Sequence, residues 1–330
     1  MGSSLYILSI IPACFSQVKE QVTTGFFVIN CNKISYLDKL DRLQNAFVYA
    51  TKLSEAIGVS RRTLLNWRNK PESISVEYRL NIDVLYCRLF LIPEWDQPGQ
   101  TFKPVLLPDD MPHNEAFFLP FLRQLSYGTI EIETDMAKAD FDRIIDGEKL
   151  PRNMDRRTFL EGFNAYFTHK WLWQYIVERG DPLMITEERI KSLHTEFIRG
   201  IHENTGEYSK NIRVMGQLDS VQTTEPEDIA EEVNRWVFKE AKSATLEEIA
   251  RAHAYFILIH PFGDGNGRVG RALMMVQCLN ARLMPPVLDG ENRAMYYAAM
   301  EHAMVHGRYM PLTRLFHEAA QRGLVQGARG

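Results

Sequence analysis

HPFGDGNGRVGR, residues 260–271, is the stretch that decides the fold, because helical patterns flank it on both sides. Ahead of it, Thr245-x-x-Glu248 is a capping box that begins an apolar helix reaching Ile259, and Pro261 favours the end of that helix. Behind it, apolar residues at helical spacing predict a second helix that begins near Gly267 and runs to Leu283. We therefore expect a mainly α protein in which two helices are joined by a glycine-rich turn.

The turn has the composition of an anion site. Its glycines let the backbone bend and approach a ligand closely: Gly263, Gly265 and Gly267. The first N–H groups of the second helix and the positive end of its dipole would face that ligand. Arg268 and Arg271 lie on one side of the first helical turn, and two guanidinium groups suit a polyphosphate.

The other polar residues of the turn indicate metal-assisted chemistry. Asp264 would repel a phosphate unless a hard cation such as Mg²⁺ bridged the two groups. A neutral His260 beside that phosphate could accept a proton from an attacking hydroxyl. Two other ligand sites are excluded, because Met275 stands where a calcium-binding EF-hand needs Glu and the Gly-Lys-Ser/Thr of a P-loop is absent.

Residues 260–271 resemble the motif of the Fic family, H-x-F-x-[D/E]-G-N-G-R-x-x-R, at every defined position. The resemblance extends over roughly residues 117–320. It implies a Fic-type helical bundle core with a β-hairpin flap. It also implies transfer of AMP from ATP, with Mg²⁺ or Mn²⁺, to a Ser, Thr or Tyr hydroxyl of a protein, which could be this chain itself.

The resemblance implies a role for each residue of the turn. His260 would be the general base, and Asp264 would hold the metal on the α- and β-phosphates. The other motif residues would bind the nucleotide phosphates: Gly263, Gly265, Asn266, Gly267, Arg268 and Arg271. Attack at the α-phosphate would release pyrophosphate.

A hairpin pattern precedes the motif in Tyr208–Thr224, where apolar residues alternate with polar ones around Gly216. An open hairpin edge can bind an extended peptide. The resemblance implies that this segment is the flap that docks the target, through Tyr208, Ile212 and Val214. Ser209 stands where the family often has Arg.

LSYGTIEIET, residues 125–134, resembles the inhibitory helix of many Fic proteins, [S/T]-x-x-x-E-[G/N]. Thr129 and Glu133 have the family spacing, although Thr134 replaces Gly or Asn. Glu131 offers a second register, but Tyr127 then stands where Ser or Thr belongs, so we prefer Glu133. The resemblance implies that this acid pairs with the second motif arginine and blocks the γ-phosphate. An ordinary exposed acid pair on a helix remains the alternative.

The N-terminal region resembles a helix-turn-helix at about residues 45–70. Gly58 can form its turn, Ser60 can cap the second helix, and Leu64 and Leu65 are expected to face inward. DNA binding through residues 53–70 would use a basic group with no acid among residues 61–70, namely Arg61, Arg62, Arg68 and Lys70. A packing or protein-binding role for this unit stays open.

Residues 92–112 hold five of the 15 prolines, so we expect a non-helical, extended connector over 92–116. It would separate an N-terminal region, 1–91, from a Fic-like domain, 117–330, with the inhibitory helix near 126–134. Two short apolar runs, 5–8 and 26–29, are expected to be buried strands. Four aromatic residues in the second region share one face of a predicted helix: Phe159, Phe163, Tyr166 and Phe167.

The 330 residues carry a net charge of −4 with 45% apolar residues, so no global charge demands a nucleic-acid or membrane partner. Four scattered cysteines without CxxC argue against a disulfide framework and a zinc site. No apolar run reaches the roughly 18 residues of a membrane span, and no basic residue precedes the apolar run near the N-terminus. We expect a cytoplasmic protein, and a homodimer is plausible.

Three functions stay open. The first is AMP transfer restrained by the inhibitory helix. The second is another Fic reaction, such as removal of AMP or transfer of a different phosphate-containing group. The third is a DNA-binding regulator whose nucleotide site only senses ATP. The complete motif favours catalysis, because sensing requires no base.

Overall fold

The computed structural model describes residues 31–47, 49–109, 111, 114–152, 154–212 and 221–327. The chain divides into two compact units, the first ending at Leu91 and the second beginning at Ile92. The described residues form helices and no strand, and the mainly α fold class is confirmed. An isolated antiparallel bridge joins Leu106 and Leu283.

The first unit contains α1 (Tyr36–Ala46), α2 (Ala50–Ile57), α3 (Arg61–Asn69) and α4 (Val76–Tyr86). Gly58 ends α2 with a φ of 85°, and the Ser60 hydroxyl caps α3 by accepting from the Thr63 N–H. These local signals act as expected, because a left-handed φ favours glycine and Ser is a preferred N-cap.

One inward residue of α3 was predicted wrongly. Leu64 and Trp67 are buried, whereas the side chain of Leu65 is 47% exposed. Residues three apart share a helical face, and Leu65 lies about 100° away from Leu64. Arg61 and Arg62 are exposed, while Arg68 donates to Asp41 at 2.5 Å. DNA contacts through these arginines stay a prediction.

The connector is not wholly non-helical, because α5 spans Ile92–Trp95. The π-helical turn Cys87–Leu91 directly precedes α5, so Pro93 continues a helical run and does not start one. Further along, the connector pairs with the turn after a later helix. Leu107 N donates to Arg282 O at 2.9 Å, and Met284 N donates to Val105 O at 2.8 Å.

The second unit is a helical bundle with its most buried helix at residues 266–280. After α5, its α-helices among the described residues are α6 (Glu115–Glu131), α7 (Lys138–Asp146), α8 (Arg156–Trp173), α9 (Glu187–Ile198), α10 (Ile229–Glu240), α11 (Leu246–Ile259), α12 (Asn266–Asn280), α13 (Arg293–His306) and α14 (Met310–Gly327). In α12 every residue from Arg268 to Leu279 is buried. None of the helices among the described residues combines the length and apolar composition that a membrane crossing requires.

The helix before the motif starts as the capping box predicts. The Thr245 hydroxyl accepts from Glu248 N at 3.3 Å, and the Glu248 carboxylate accepts from Thr245 N at 3.0 Å. Two orphan donors of the first turn are thereby satisfied. The helix ends at Ile259, so His260 follows directly at its C-terminus.

The aromatic residues predicted to share one face of α8 differ in environment. Tyr166 is buried, whereas Phe163 and Phe167 are 38% and 42% exposed. Sequence spacing defines a face but does not tell which neighbouring helix covers it.

Part of the predicted β-structure lies outside the described residues. This holds for both apolar runs, 5–8 and 26–29, and for residues 213–220 of the hairpin, including Val214. Ile212 is described, and its side chain is 54% exposed.

Two imidazoles inside the second unit make its stability depend on pH. Burial lowers the pKa of His169 and of His253 to about 3, with the nearby Arg271 adding to the effect. In the unfolded chain each of these rings has a pKa of about 6.5. Below that pH the unfolded chain therefore binds protons that the folded chain excludes.

We expect these rings to leave the free energy of unfolding undiminished above pH 6.5. That free energy should fall as the pH drops towards 3, by up to about 1.4 kcal/mol per pH unit for each ring. Urea unfolding at pH 7, 6 and 5 measures this change. An unfolding free energy that stayed constant over that window would show that the two rings titrate alike in both states.

Candidate functional site

His260 is held at the C-terminus of α11 in an uncommon backbone conformation, with φ 51° and ψ 54°. Its backbone N–H donates to Phe256 O at 3.1 Å, which ends the helix. Its ring Nδ1 lies 3.2 Å from Ile257 O. A carbonyl oxygen only accepts, so Nδ1 carries the proton and Nε2 is the basic nitrogen of the neutral ring.

The turn after His260 is closed by one side chain. Asn266 Oδ1 accepts from Phe262 N at 2.8 Å, and Asn266 Nδ2 donates to Phe262 O at 2.7 Å. Of the three glycines expected to bend the turn, Gly265 alone has a positive φ, 74°. A Cβ there would also lie 2.7 Å from Ile198 Cδ1. The side-chain amide of Asn266, the first residue of α12, therefore closes the loop through both backbone groups of Phe262.

Asn266→Ala is expected to lower the free energy of unfolding by about 2–5 kcal/mol, because it strands a buried N–H and a buried C=O. Urea denaturation followed by circular dichroism measures the loss. Asn234→Ala is the matched control, since the Asn234 side chain is exposed and donates to Ala230 O on the surface of α10. Equal unfolding midpoints for the two variants would refute this role for Asn266.

The two motif arginines are buried against the end of α6. Arg271 donates from Nε to Thr129 Oγ1 at 2.5 Å and from Nη2 to Thr129 O at 2.9 Å. The same Nη2 donates to Glu133 Oε1 at 2.5 Å. Arg268 Nε lies 3.1 Å from Glu133 Oε2. One carboxylate thus bridges both guanidinium groups.

Glu133, and not Glu131, faces the arginines. Glu131 Oε2 accepts instead from Gly290 N at 2.9 Å, on another loop. Close approach of Glu133 depends on Gly267, because a Cβ there would overlap Glu133 Oε1 and lie 2.9 Å from Arg271 Nη1. The motif glycine at the first turn of α12 therefore leaves the space that the carboxylate fills.

Asp264 is surrounded by donors on both oxygens. Oδ1 accepts from Gly265 N at 2.7 Å and from Arg268 Nη2 at 3.1 Å. Oδ2 accepts from Arg157 Nη2 at 2.8 Å and lies 3.2 Å from His202 Nε2. Burial raises the pKa of Asp264, but the neighbouring positive charges and N–H donors outweigh it and hold that pKa below its usual value.

A buried histidine positions the backbone of Asp264. His194 stacks on Phe262 with ring centroids 3.9 Å apart. Its Nδ1 accepts from Gly206 N at 2.8 Å, so its Nε2 carries the proton and donates to Asp264 O at 3.1 Å. Burial lowers the pKa of His194 to about 4, which keeps the ring neutral.

The start of the predicted flap is tied to the motif loop. Ser209 N donates to Pro261 O at 2.8 Å, and the Tyr208 hydroxyl donates to Glu187 Oε1 at 3.0 Å. Burial raises the pKa of Tyr208, with Glu187 adding to the effect, so this phenol stays protonated. Tyr208 is therefore anchored in the second unit, whereas Ile212 extends into solvent.

Residues 184–278, which include His194, the motif loop and most of α12, match the Fic/DOC family. The chain contains a Fic domain. Protein adenylyltransferase fic-1 of Caenorhabditis briggsae is 37% identical over 90 residues, which cover 27% of this chain and 17% of that protein. Protein adenylyltransferase Fic of Nematostella vectensis is 30% identical over 102 residues, covering 29% of this chain and 24% of that protein. The matched segments thus span less than a quarter of either relative.

Solved structures share the fold of the Fic domain. A Fic-domain-containing signalling protein from Bacteroides thetaiotaomicron has a TM-score of 0.56 at 18% identity, covering 75% of this chain and 98% of that one. Fic-1, residues 134–508, from Caenorhabditis elegans has a TM-score of 0.55 at 18% identity, covering 88% and 83%. Likeness at this identity establishes the fold.

Sequence reasoning missed three residues whose side chains contact Asp264: Arg157, His194 and His202. Arg157 lies 107 residues before Asp264, and no nearby residue predicts their contact. By sequence, Arg157 is one of two surface arginines at the start of a helix. His194 did carry a signal, because it lies on the apolar face formed by Ile190, Leu193 and Phe197. A histidine on such a face must find polar partners inside the fold.

Proposed function

We propose that this Fic domain transfers AMP from ATP to a hydroxyl side chain of a protein, and that Glu133 restrains the transfer. One observation carries the proposal: a single turn joins the basic Nε2 of His260 to a helix N-terminus flanked by two buried guanidinium groups. The relatives named protein adenylyltransferase support the same reaction.

The phosphates of ATP would bind at the N-terminus of α12. The first N–H groups of this helix and its dipole favour an anion there. Arg268 is 3% exposed, and its Nε and Nη1 lie 3.1 Å from Glu133 Oε2 and 3.7 Å from Glu161 Oε1 as ion pairs without hydrogen-bond geometry. Buried donors of this kind are costly unless a ligand satisfies them. We assign the outer phosphates to Arg268 and Arg271, and the inner ones to the backbone of Gly263, Gly265, Asn266 and Gly267.

Asp264 fits a magnesium or manganese ion that arrives with the nucleotide. The described residues contain no cluster of three or more His, Cys, Asp or Glu that could hold a metal unaided. Mg²⁺ is often held by one carboxylate together with phosphate oxygens and water, which is the set that Asp264 and ATP offer. The ion would neutralise phosphate charge, and Arg157 and His202 would have to leave Oδ2 as it binds.

His260 would act as general base. Its Nε2 takes the proton of the target hydroxyl as that oxygen bonds to the α-phosphorus. The bond from the α-phosphorus to the oxygen bridging to the β-phosphate breaks, and pyrophosphate leaves. The Nδ1–H contact with Ile257 O fixes the ring in the required tautomer during this step.

The flap would present the target. Its described end is anchored at Tyr208 and Ser209 beside the loop that holds His260. From there, Ile212 and Val214 would lie along the backbone of an extended target segment, which places its hydroxyl near the α-phosphate. We place this reaction in the cytoplasm.

Nucleotides labelled at different phosphates test the chemistry. The Glu133→Gly variant is incubated with candidate proteins and ATP that carries the label on the α- or the γ-phosphate. Protein that retains the α label and not the γ label supports AMP transfer. Retention of the γ label would replace the proposal with phosphorylation, and release of AMP from a modified protein without net transfer would replace it with AMP removal.

A further inference from the structure

Two cysteines of the first unit lie side by side in its interior. Cys31 begins the 3₁₀ turn Cys31–Lys33, and Cys87 directly follows α4 and begins the π-helical turn Cys87–Leu91. Cys31 Sγ donates to Asp83 O at 4.0 Å, and the same carbonyl accepts from Cys87 N. The two side chains also share a hydrogen bond with each other. Segments that are distant in sequence thus bring two thiols into contact.

A buried ammonium group lies beside this pair. Lys39 is 1% exposed, and its Nζ donates to Asp83 Oδ1 at 2.7 Å. The Tyr36 hydroxyl donates to Asp83 Oδ2 at 2.9 Å, so both oxygens of that carboxylate are occupied. The ammonium group also donates to the Cys31 sulfur. A positive charge beside a thiol favours the thiolate, which is the form that reacts with oxidants.

The two thiols differ in acidity and in access. The hydrogen bond from Cys87 lowers the pKa of Cys31 and Lys39 adds to the effect, although burial and the charge of Asp83 oppose it. The same hydrogen bond, followed by burial, raises the pKa of Cys87. Cys31 is 7% exposed and Cys87 is 0% exposed. Cys31 is therefore both the better nucleophile and the thiol that solvent can reach.

We propose that Cys31 and Cys87 are a redox-sensing pair that closes reversibly into a disulfide when a peroxide reaches Cys31. Both are free thiols in the structure. Disulfides in reducing compartments are usually transient, with catalytic or sensing roles, and π-helical turns are frequent at functional sites. A cysteine that only fills a core requires neither an ammonium group nor a second thiol beside it. The pair is independent of the proposed AMP transfer, since its residues belong to the first unit.

The reaction takes place in two steps. The Cys31 sulfur attacks one peroxide oxygen, the O–O bond breaks, and the departing hydroxide takes the thiol proton and leaves as water. This step forms a sulfenic acid on Cys31. The Cys87 sulfur then attacks the Cys31 sulfur, the S–O bond breaks, and the hydroxide leaves as a second water with the Cys87 proton. Two electrons pass from the sulfurs to the peroxide, and a thiol reductant restores both cysteines.

Peptide mapping of the wild-type chain tests the pairing. The full chain is treated with limiting hydrogen peroxide in native buffer, its free thiols are alkylated after unfolding, and linked peptides are identified by mass spectrometry. We expect one reducible link, between Cys31 and Cys87. Cys278 is the internal control, because burial raises its pKa, and it should be oxidised at least about tenfold more slowly than Cys31.

Single replacements separate the roles of the two thiols. In Cys87→Ser, peroxide should leave a sulfenic acid on Cys31 that dimedone captures. In Cys31→Ser, Cys87 should stay unmodified over the same time. Cys14→Ser is the matched control, since Cys14 lies outside the described residues and its replacement should leave the link unchanged.

Three results would overturn the proposal. Wild-type Cys31 and Cys87 that both stay alkylatable at peroxide concentrations that oxidise free cysteine would show that the pair only fills the core. A link from Cys31 to Cys14 or Cys278 would show that a different pair forms. Capture of a sulfenic acid on Cys87 in the Cys31→Ser variant, with none on Cys31 in Cys87→Ser, would reverse the order of attack and refute the assigned roles.

Discussion

Replacing His260 with alanine is expected to lower the rate of AMP transfer about 100- to 10,000-fold, the range that a positioned general base contributes. ATP affinity should be unchanged, because the phosphates are assigned to α12 and the two motif arginines. The change is best made in the Glu133→Gly background, where the site is open. Single-turnover transfer and equilibrium binding of ATP are the two measurements.

His306→Ala is the control for this experiment. His306 is an exposed residue at the end of α13 and has no contact with the motif loop, so its loss should leave both measurements at the wild-type level. If His260→Ala transferred AMP as fast as its parent, His260 would not be the base. If it lost ATP affinity as well, the imidazole would be holding the nucleotide and the assignment of the phosphates would be wrong.

Replacing Glu133 with glycine is expected to raise AMP transfer about 5- to 150-fold, the range of typical coupling between a regulatory contact and a site. In the structure the Glu133 carboxylate accepts from Arg271 Nη2 at 2.5 Å and lies 3.1 Å from Arg268 Nε. It therefore pairs with the two guanidinium groups whose positive charge the outer phosphates need. Its loss removes the carboxylate that competes with the phosphates for both arginines, and we expect tighter ATP binding together with faster turnover.

Glu131→Gly is the matched control, since Glu131 lies two residues away and bonds to Gly290 N, away from the arginines. It should leave transfer at the wild-type rate. Activation by Glu131→Gly and not by Glu133→Gly would show that the other register forms the brake. No activation by either change would show that the carboxylate contact is structural.

The parts of the structure that sequence predicts well are those with local signals. The capping box of Thr245 and Glu248, the Ser60 cap and the left-handed Gly58 each depend on residues within a few positions of one another. Such signals fix where a helix begins or ends whatever surrounds it.

The parts that sequence predicts poorly depend on contacts between distant segments. Arg157 and His202 meet Asp264 across 107 and 62 positions, and nothing near either residue indicates the meeting. Leu65 and Phe167 are exposed for a related reason, since an apolar pattern marks a face but not the element that covers it. The Fic motif itself was predictable because its spacing is long and specific.

Intact-mass spectrometry of a single turnover tests the central claim most directly. A target protein is mixed with ATP and either Glu133→Gly or Glu133→Gly/His260→Ala, and both the protein mass and the released pyrophosphate are followed. The account predicts an AMP adduct and pyrophosphate in equal amounts with the first variant and neither with the second. An equal adduct from both variants, or an adduct formed without pyrophosphate, would contradict it.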